Sequence, residues 1–273
     1  MLIRFWGVRG STPTPQKENL GYGGNTACVE LRPKSGALFI FDCGTGIRAL
    51  GQRLSREFGR RPIRGLIFLS HYHWDHIQGI PFFLPLYHRA NAFIFHSFPS
   101  PGGDVRRVLE GQMTNPYFPV DMSTMAAERR FFELAEGRVS YDKVAVSCRP
   151  LHHPQGCLGF RVEAEGKVVV YATDNEPGDA IGDRNLRELA QGADILIYDA
   201  QYTPEEYRKR KQTWGHSTWR EGVRVVRDAG VKQLILFHHD PDHNDRAIDS
   251  ILAQTRKQFR NTLAAFEGMV LKL

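Results

Sequence analysis

The segment Ser70-His71-Tyr72-His73-Trp74-Asp75-His76 carries four side chains of metal-binding type. Imidazole nitrogens and carboxylate oxygens are the ligands that Zn²⁺ and related divalent metals prefer. This spacing does not place the side chains on one helix face, as an H-E-x-x-H motif would. A tight turn must therefore spread them, and spread ligands suit two adjacent metals better than one. Ordinary surface histidines would not be expected at this spacing, together with an aspartate, directly after a strand.

The elements that would position these ligands follow from the periodicity of apolar residues. An apolar run over 66–69 precedes the ligand segment and predicts a buried strand, which would hold the following loop in place. Similar runs predict strands at 2–8, 27–32, 38–41, 92–96, 139–146, 158–163, 167–172, 195–198, 233–237 and 269–271. The remaining periodic segments predict helices at 47–58, 104–112, 204–211, 219–229 and 246–259.

Candidate ligands recur where predicted strands end, at Asp42, in the 71–76 loop, and at Asp174, Asp199 and His238. Side chains gathered from the ends of many strands form one site only if those strands share a fold. We therefore expect a single α/β domain over residues 1–273, built on two packed sheets.

The composition is that of an ordinary globular protein. Of the 273 residues, 41% are hydrophobic and 24% are charged, which is enough to bury a sizeable core. The net charge of +6 favours an anionic substrate such as a phosphodiester, although many mildly basic proteins are simply soluble. The four cysteines show no CxxC spacing, which favours a reduced, cytoplasmic setting. No signal-peptide pattern and no membrane-length apolar run is present, so no membrane partner is expected.

Two other classes of enzyme are disfavoured by the motifs. Cys43-Gly44-Thr45-Gly46 lies between a predicted strand and a predicted helix, but its glycines do not follow the G-x-G-x-x-G spacing of a dinucleotide site. A tight turn is the better interpretation, and it would leave Asp42 at a strand end, bracing the histidine loop. The chain also lacks a G-x-S-x-G elbow, which disfavours a serine hydrolase.

With His71-x-His73-x-Asp75-His76, then a histidine, an aspartate and a histidine at later strand ends, the chain resembles the metallo-β-lactamase superfamily over nearly its whole length. The resemblance implies a four-layer αββα sandwich and a hydrolase that uses two divalent metal ions. Zinc is the first expectation, and manganese and iron also accept such ligands. Within the superfamily, the chain looks like the phosphodiesterase branch, which includes tRNase Z and the cyclic phosphodiesterase of phosphonate metabolism.

The resemblance also implies a ligand set. His71 and His73 would hold one metal, Asp75 and His76 the other, and Asp174 would bridge both. The branch places its next histidine six residues before a Gly-aromatic pair. The last ligand follows the strand at 233–237. The first of these positions is occupied by His153, with His152 beside it. The position after the strand is occupied by His238, with His239 as the less favoured choice.

Two residues are expected to carry catalysis as well. His216, in Gly215-His216-Ser217-Thr218, resembles the branch's H-x-T histidine, which contacts the scissile phosphate. Attack by a metal-bridging hydroxide is implied, with His216 stabilising the phosphate or assisting the leaving oxygen. Asp75 would be both a ligand and a proton acceptor. The role of Asp199 stays open.

Three features bear on the substrate. An aspartate at 174, where zinc β-lactamases use a cysteine, makes antibiotic hydrolysis a poor expectation. The segment 215–218 favours the phosphodiesterase branch over the thioesterase branch. The interval from His153 to Asp174 holds only a short hairpin, with no room for the tRNA-gripping arm that many tRNase Z proteins carry there. A small or cyclic phosphodiester is therefore favoured over nucleic acid.

Several alternatives stay open. One is an RNA-processing nuclease of tRNase Z type without the arm, and another is a thioester or lactone hydrolase on the same fold. A metal-binding interaction protein without activity is disfavoured by the complete ligand set. Homodimers are common in the branch, although the sequence shows no interface signature. The aromatic loop at 115–120 fits either the lip of a pocket or plain packing.

Overall fold

The computed structural model describes residues 1–99, 103–134 and 136–273. The strands in these ranges are β1 (Leu2–Gly7), β2 (Cys28–Arg32), β3 (Leu38–Phe41), β4 (Arg64–Phe68), β5 (Ala92–Ser97), β6 (Glu128–Glu133), β7 (Gly137–Tyr141), β8 (Val144–Leu151), β9 (Cys157–Ala164), β10 (Lys167–Ala172), β11 (Ile195–Asp199), β12 (Gln233–Phe237), β13 (Thr262–Ala264) and β14 (Val270–Lys272). The α-helices are α1 (Ile47–Phe58), α2 (Trp74–Ile77), α3 (Val105–Gly111), α4 (Ala180–Ala190), α5 (Pro204–Glu206), α6 (Trp219–Asp228) and α7 (Asp245–Gln258). A π-helical turn, Tyr207–Lys211, continues α5.

The strands form two seven-stranded mixed sheets. The first has the order β14-β1-β2-β3-β4-β5-β6, and the second has the order β13-β12-β11-β10-β9-β8-β7. β3 to β6 run parallel in the first sheet, and β10 to β13 run parallel in the second. Each parallel half is fed by helical crossovers, whereas the antiparallel half of each sheet is built mainly from hairpins.

Three apolar layers hold these elements together. In β3, Phe39 and Phe41 face the second sheet, while Leu38 and Ile40 face α1, because side chains alternate along a strand. Aromatic rings close the layer between the sheets, with the Phe41 and Phe160 centroids 5.7 Å apart. A third layer packs α4, α6 and α7 against the outer face of the second sheet. The predicted four-layer αββα sandwich is therefore confirmed.

Most predicted elements are found within two residues of their expected bounds, but one strand is wrong. The predicted strand at 139–146 is two antiparallel strands, β7 and β8, with Tyr141 opposite Val144. The apolar alternation runs through the turn and hides it. Asp142 reverses the chain with a left-handed φ of 54°.

Helix α4 is an element that the sequence reasoning misses. Its one clear signal is Asp179, whose side chain accepts a hydrogen bond from the Gly182 backbone N–H at the helix start. Asp104 likewise caps the start of α3, because its carboxylate accepts a hydrogen bond from the Arg107 N–H at 2.7 Å. Within the described ranges, none of the helices has the length and apolar character needed to cross a bilayer.

Candidate metal centre

The candidate ligands meet where the two sheets present the carboxyl ends of their parallel strands. The 71–76 loop follows β4, Asp174 follows β10, and His238 follows β12. Asp174 and His238 both adopt left-handed backbone angles, with φ of 53° and 59°. Residues other than glycine hold this conformation only where the surrounding structure fixes it, which is a common feature of functional sites.

A glycine-rich turn from the neighbouring strand supports the ligand loop. The Cys43 N–H donates to the His76 carbonyl at 2.7 Å, and the Gly79 N–H donates back to the Cys43 carbonyl at 2.9 Å. A Cβ atom at Gly44 would lie only 2.2 Å from the Asp75 carbonyl oxygen, so glycine is needed at this close approach. The turn at 43–46 therefore packs against the ligand loop, and Gly44 permits this contact.

Three imidazoles form the first ligand group, which we call the first site. The ring nitrogens of His71, His73 and His153 lie within 4.8 Å of one another. His73 presents Nδ1, which lies 3.1 Å from His153 Nε2. The structure thus brings together two neighbours from the 71–76 loop and the histidine after β8 that the resemblance implied.

Asp75, His76 and His238 form the second group, which we call the second site. Nε2 of His76 and Nε2 of His238 each lie 3.2 Å from Asp75 Oδ2, and the two nitrogens are 3.2 Å apart. The neighbouring His239 points elsewhere, because its Nε2 donates to the Ala265 carbonyl at 2.9 Å. His152 likewise donates to the Glu176 carbonyl at 3.0 Å and stays outside both groups.

Asp174 lies between the two sites. Its Oδ1 faces the first site, 3.7 Å from His71 Nε2, and its Oδ2 faces the second, 3.3 Å from His76 Nε2 and 3.4 Å from His238 Nε2. A carboxylate with one oxygen toward each group has the placement that a bridging ligand requires.

Each of the five histidines in the two sites also has an oxygen partner for its outward-facing ring nitrogen. Metal-ligating histidines show this arrangement because the outer bond fixes the ring and its tautomer. The pairs are His71 with Ser70 Oγ, His73 with Gln155 Oε1, His76 with Asp42 Oδ2, His153 with the Gly215 carbonyl and His238 with Gln201 Oε1, at 2.8–3.0 Å.

The inward-facing nitrogens show why these residues fit divalent metals. Nε2 of His71 is buried and has no hydrogen-bond partner among the residues that the structure describes. A buried polar atom without a partner is unfavourable unless something else satisfies it. The donor set, imidazole nitrogens and carboxylate oxygens in two overlapping groups, would satisfy zinc, manganese or iron.

Burial and neighbouring charges lower the pKa values of three groups at the site. Burial lowers the pKa of His71 well below its usual value, with help from the neighbouring His76. Burial also lowers the pKa of His153, to about 4. These two imidazoles are therefore held neutral, the form that binds metal. Burial opposes the charged form of Asp174 as well, but the surrounding imidazoles outweigh it and hold its pKa well below the usual range.

His216 lies beside the first and second sites and belongs to neither of these groups of three. Its Nδ1 is 3.0 Å from Asp199 Oδ2 and 3.6 Å from Asp174 Oδ1, and its ring stacks on His238 at 5.0 Å. Burial would lower the pKa of His216, but the charges of Asp199, Asp174 and Asp75 outweigh burial and raise it to about 9.

A cavity of about 440 Å³ opens onto this centre, and it is lined by Ser11, Tyr72, His73, Trp74, Asp75, Asp174 and His216. Ser11 was not anticipated from the sequence, yet its backbone N–H donates to Asp75 Oδ2 at 2.7 Å. Gln155 and Gln201 were also missed. Neither belongs to a recognisable motif, and only the fold brings each amide to its histidine.

The family of this chain is clear from comparison with known proteins. The family model described as the beta-lactamase superfamily domain matches residues 38–239, so the chain belongs to this family. The expected resemblance and the expected class, a metal-dependent hydrolase, are thereby confirmed.

The chain is also 25% identical to Ribonuclease Z of Haloarcula marismortui, over 98% of this chain and 96% of that protein. Two solved structures share the fold across nearly the whole chain. The metallo-beta-lactamase fold protein YhfI of Bacillus subtilis superposes with a TM-score of 0.72 at 19% identity, covering 99% of this chain and 98% of YhfI. A diphosphatase from the PhnP family also has a TM-score of 0.72, at 18% identity, covering 100% of this chain and 97% of that structure.

Proposed function

We propose that this chain is a phosphodiesterase with two divalent metals, and that it acts on a small or cyclic phosphodiester. The observation that carries the proposal is the position of Asp174, which offers one oxygen to each of two histidine groups. His71, His73 and His153 would hold one metal, with Asp174 shared. The other would be held by the remaining ligands, Asp75, His76 and His238. Zinc is our first choice, with manganese or iron as alternatives.

When bound, the metals would supply an activated water and positive charge for the phosphate. The protein's own residues then determine how a diester is held. His216 lines the cavity, and because its Nδ1 is engaged by Asp199, Nε2 remains to donate a hydrogen bond to a phosphate or leaving-group oxygen. Asp75 also lines the cavity and would accept the proton of the attacking water. The Ser11 N–H would hold that carboxylate in place.

The experiment is to measure metal content and hydrolysis of bis(p-nitrophenyl) phosphate together. We expect about two metals per chain and turnover in the unaltered protein, with both reduced in His71→Ala. His88→Ala, which alters an exposed histidine, is the matched control and should change neither. Full metal occupancy without diester cleavage would contradict the phosphodiesterase proposal, and thioesters and lactones would then be tested. An absence of bound metal would refute the ligand assignment.

A second candidate is an RNA-processing nuclease, which the Ribonuclease Z relatives support. A basic stretch, Arg208 to Lys211, lies in the π-helical turn shortly before His216. Lys211 Nζ lies 4.1 Å from the Trp214 ring centroid, so positive charge and an exposed aromatic adjoin the loop that carries His216. RNA binding would weaken steeply with salt, because phosphate contacts release counterions. Cleavage of a tRNA precursor faster than any small diester would favour this candidate.

The remaining expectations are proposals with their own support. We propose that residues 1–273 act as one domain, because β14 near the carboxyl end pairs with β1 near the amino end. A reduced, cytoplasmic setting is supported by four cysteines that are all free and buried. Homodimerisation stays a prediction, to be checked by light scattering.

A further inference from the structure

A second, larger cavity lies beside the metal centre. Its volume is about 790 Å³, and we call it the aromatic cavity. Its walls come from the ligand segment, the turns after it, α3 and the 115–120 loop, and they include Tyr72, Trp74, Gln78, Phe82, Gln112 and Tyr117. Pockets of this size hold small organic ligands, usually with apolar walls and a few polar groups that fix orientation.

The aromatic cavity adjoins the cavity at the metal centre. Tyr72 and Trp74 line both cavities, and in the sequence they alternate with His73 and Asp75. The Tyr72 hydroxyl donates to the Phe98 carbonyl, which fixes its ring between the two spaces. A phosphodiester held at the metals would therefore place one of its substituents in the aromatic cavity.

The walls present flat rings to solvent. Trp74 is 79% exposed, Tyr117 is 82% exposed and Phe82 is 52% exposed. Phe82 is held edge-on against Phe118, with ring centroids 6.0 Å apart. Clustered exposed aromatics of this kind mark binding sites, because leaving them in water is unfavourable. Their flat faces favour a planar occupant that can stack.

A buried amide adds polar character to one wall. Gln112 Nε2 is inaccessible to water and, within the described ranges, donates no hydrogen bond. The Gln78 amide, on the same cavity, makes only a long contact of 3.4 Å to Thr26 Oγ1. An alkyl chain would leave the Gln112 N–H groups unpaired, which costs free energy. A heteroaromatic ring offers nitrogen or carbonyl acceptors to these amides while it stacks on the rings.

We propose that the aromatic cavity binds the nucleobase of a nucleotide whose phosphodiester lies at the metal centre. This inference rests on the proposed function and narrows its substrate class to nucleotide diesters. Trp74 and Tyr117 stack on the base, and the Gln112 side chain turns toward the cavity so that its amide pairs with the edge of the base.

The test compares the affinity of the metal-loaded protein for adenosine 5′-monophosphate and ribose 5-phosphate by titration calorimetry. These probes differ only in the base. We expect the base to tighten binding about 5- to 150-fold, the range that one stacked base contributes. Tyr117→Ala should remove most of this ratio and leave the affinity for ribose 5-phosphate unchanged, because Tyr117 lines the aromatic cavity alone. Trp74→Ala should also remove most of the ratio. Gln112→Leu, which keeps the apolar bulk, should reduce the ratio severalfold.

Trp214→Ala is the matched control, because Trp214 is exposed but does not line the aromatic cavity. It should leave the ratio of the two affinities unchanged. Equal affinities for the two probes, or a ratio that survives both Trp74→Ala and Tyr117→Ala, would overturn the inference. Tighter binding of n-octyl phosphate than of adenosine 5′-monophosphate would overturn it too and identify an alkyl site.

Hydrolysis of bis(p-nitrophenyl) phosphate by the same preparations separates the two proposals. Turnover without a base preference refutes only the nucleobase site. A base preference without turnover on any diester refutes the phosphodiesterase proposal, while base binding in the cavity stands.

Discussion

Oδ2 of Asp199 lies 3.0 Å from Nδ1 of His216, and both groups are buried beside the metal centre. Asp199 ends β11, whereas His216 precedes α6, so two separate elements hold this pair. The carboxylate fixes the ring and stabilises its charged form. This is the arrangement that an imidazole needs in order to act on a phosphate oxygen.

We therefore expect His216→Ala to lower kcat on bis(p-nitrophenyl) phosphate by about 10²- to 10⁴-fold, the usual contribution of a general acid or base. Asp199→Asn should cause a smaller loss, mainly in kcat, because the amide keeps the shape and removes the charge. Both variants should keep their bound metal, which elemental analysis would measure. Loss of metal in Asp199→Asn would show instead that this carboxylate maintains the ligand groups.

Asp42 has a different role, because its buried carboxylate holds the ligand loop in place through hydrogen bonds. Its carboxylate accepts hydrogen bonds from the Ser70 N–H at 2.7 Å, His76 Nδ1 at 2.8 Å and the Tyr171 hydroxyl at 2.7 Å. Asp42→Ala should lower the free energy of unfolding by about 3 kcal/mol or more, since each buried group left unpaired costs about 1–3 kcal/mol. Urea unfolding of the purified variant would measure this loss.

The control for this prediction is Asp142→Ala. Asp142 is an exposed aspartate with a similar left-handed φ, 54° compared with 58° at Asp42. It therefore tests the backbone conformation without the buried hydrogen bonds. Equal destabilisation by the two substitutions would show that backbone strain, and not the Asp42 network, accounts for the effect.

Glu176 positions the loop that carries His216. Its Oε1 accepts from the Tyr207 hydroxyl at 2.9 Å, and its Oε2 accepts from the Gly215 N–H at 2.8 Å. The Gly215 carbonyl in turn accepts from His153, so one buried carboxylate holds the loop against both functional histidines. Glu176→Gln would place an amide N–H₂ among these donors. We expect kcat to fall tenfold or more and tryptic cleavage within 208–214 to speed up.

Glu188→Gln is the control for Glu176→Gln, because the Glu188 side chain is 46% exposed on α4 and forms surface ion pairs with Arg149 and Arg184. It should change neither turnover nor proteolysis, since such pairs contribute little. If Glu176→Gln lowers kcat without altering the cleavage rate of the loop, Glu176 acts on catalysis by another route.

The sequence predicts those residues of the candidate site that lie close together along the chain. It does not predict residues that only folding brings into contact. The candidate ligands at 71–76 lie close together in sequence and follow a strongly apolar strand, so the sequence predicts both the ligand group and its position. Gln201 and Ser11 are not predictable, because their contacts with His238 and Asp75 arise only when distant segments fold together. The strand prediction at 139–146 fails for a related reason. Residue alternation records burial, but it does not record where a hairpin turns.

His96 gives a prediction about stability and pH that lies away from the ligand groups. Its ring stacks on Phe68 at 4.6 Å and on Phe132 at 5.8 Å, and burial lowers its pKa to about 4. The unfolded chain, with an ordinary histidine pKa near 6.5, binds this proton more readily. The contribution of neutral His96 to stability is therefore complete above about pH 6.5 and is lost as the pH falls toward 4.

The expected loss from this residue is about 2–3 kcal/mol across that pH range. His96→Phe fits the stack of rings and removes the titrating group, so its unfolding free energy should fall less between pH 7 and pH 4 than that of the unaltered protein. Urea unfolding at several pH values would give the slope of unfolding free energy against pH for the unaltered protein and for His96→Phe. The contributions of the other histidines cancel in the difference between these two slopes. Parallel slopes would mean that His96 does not hold its neutral form in the folded chain.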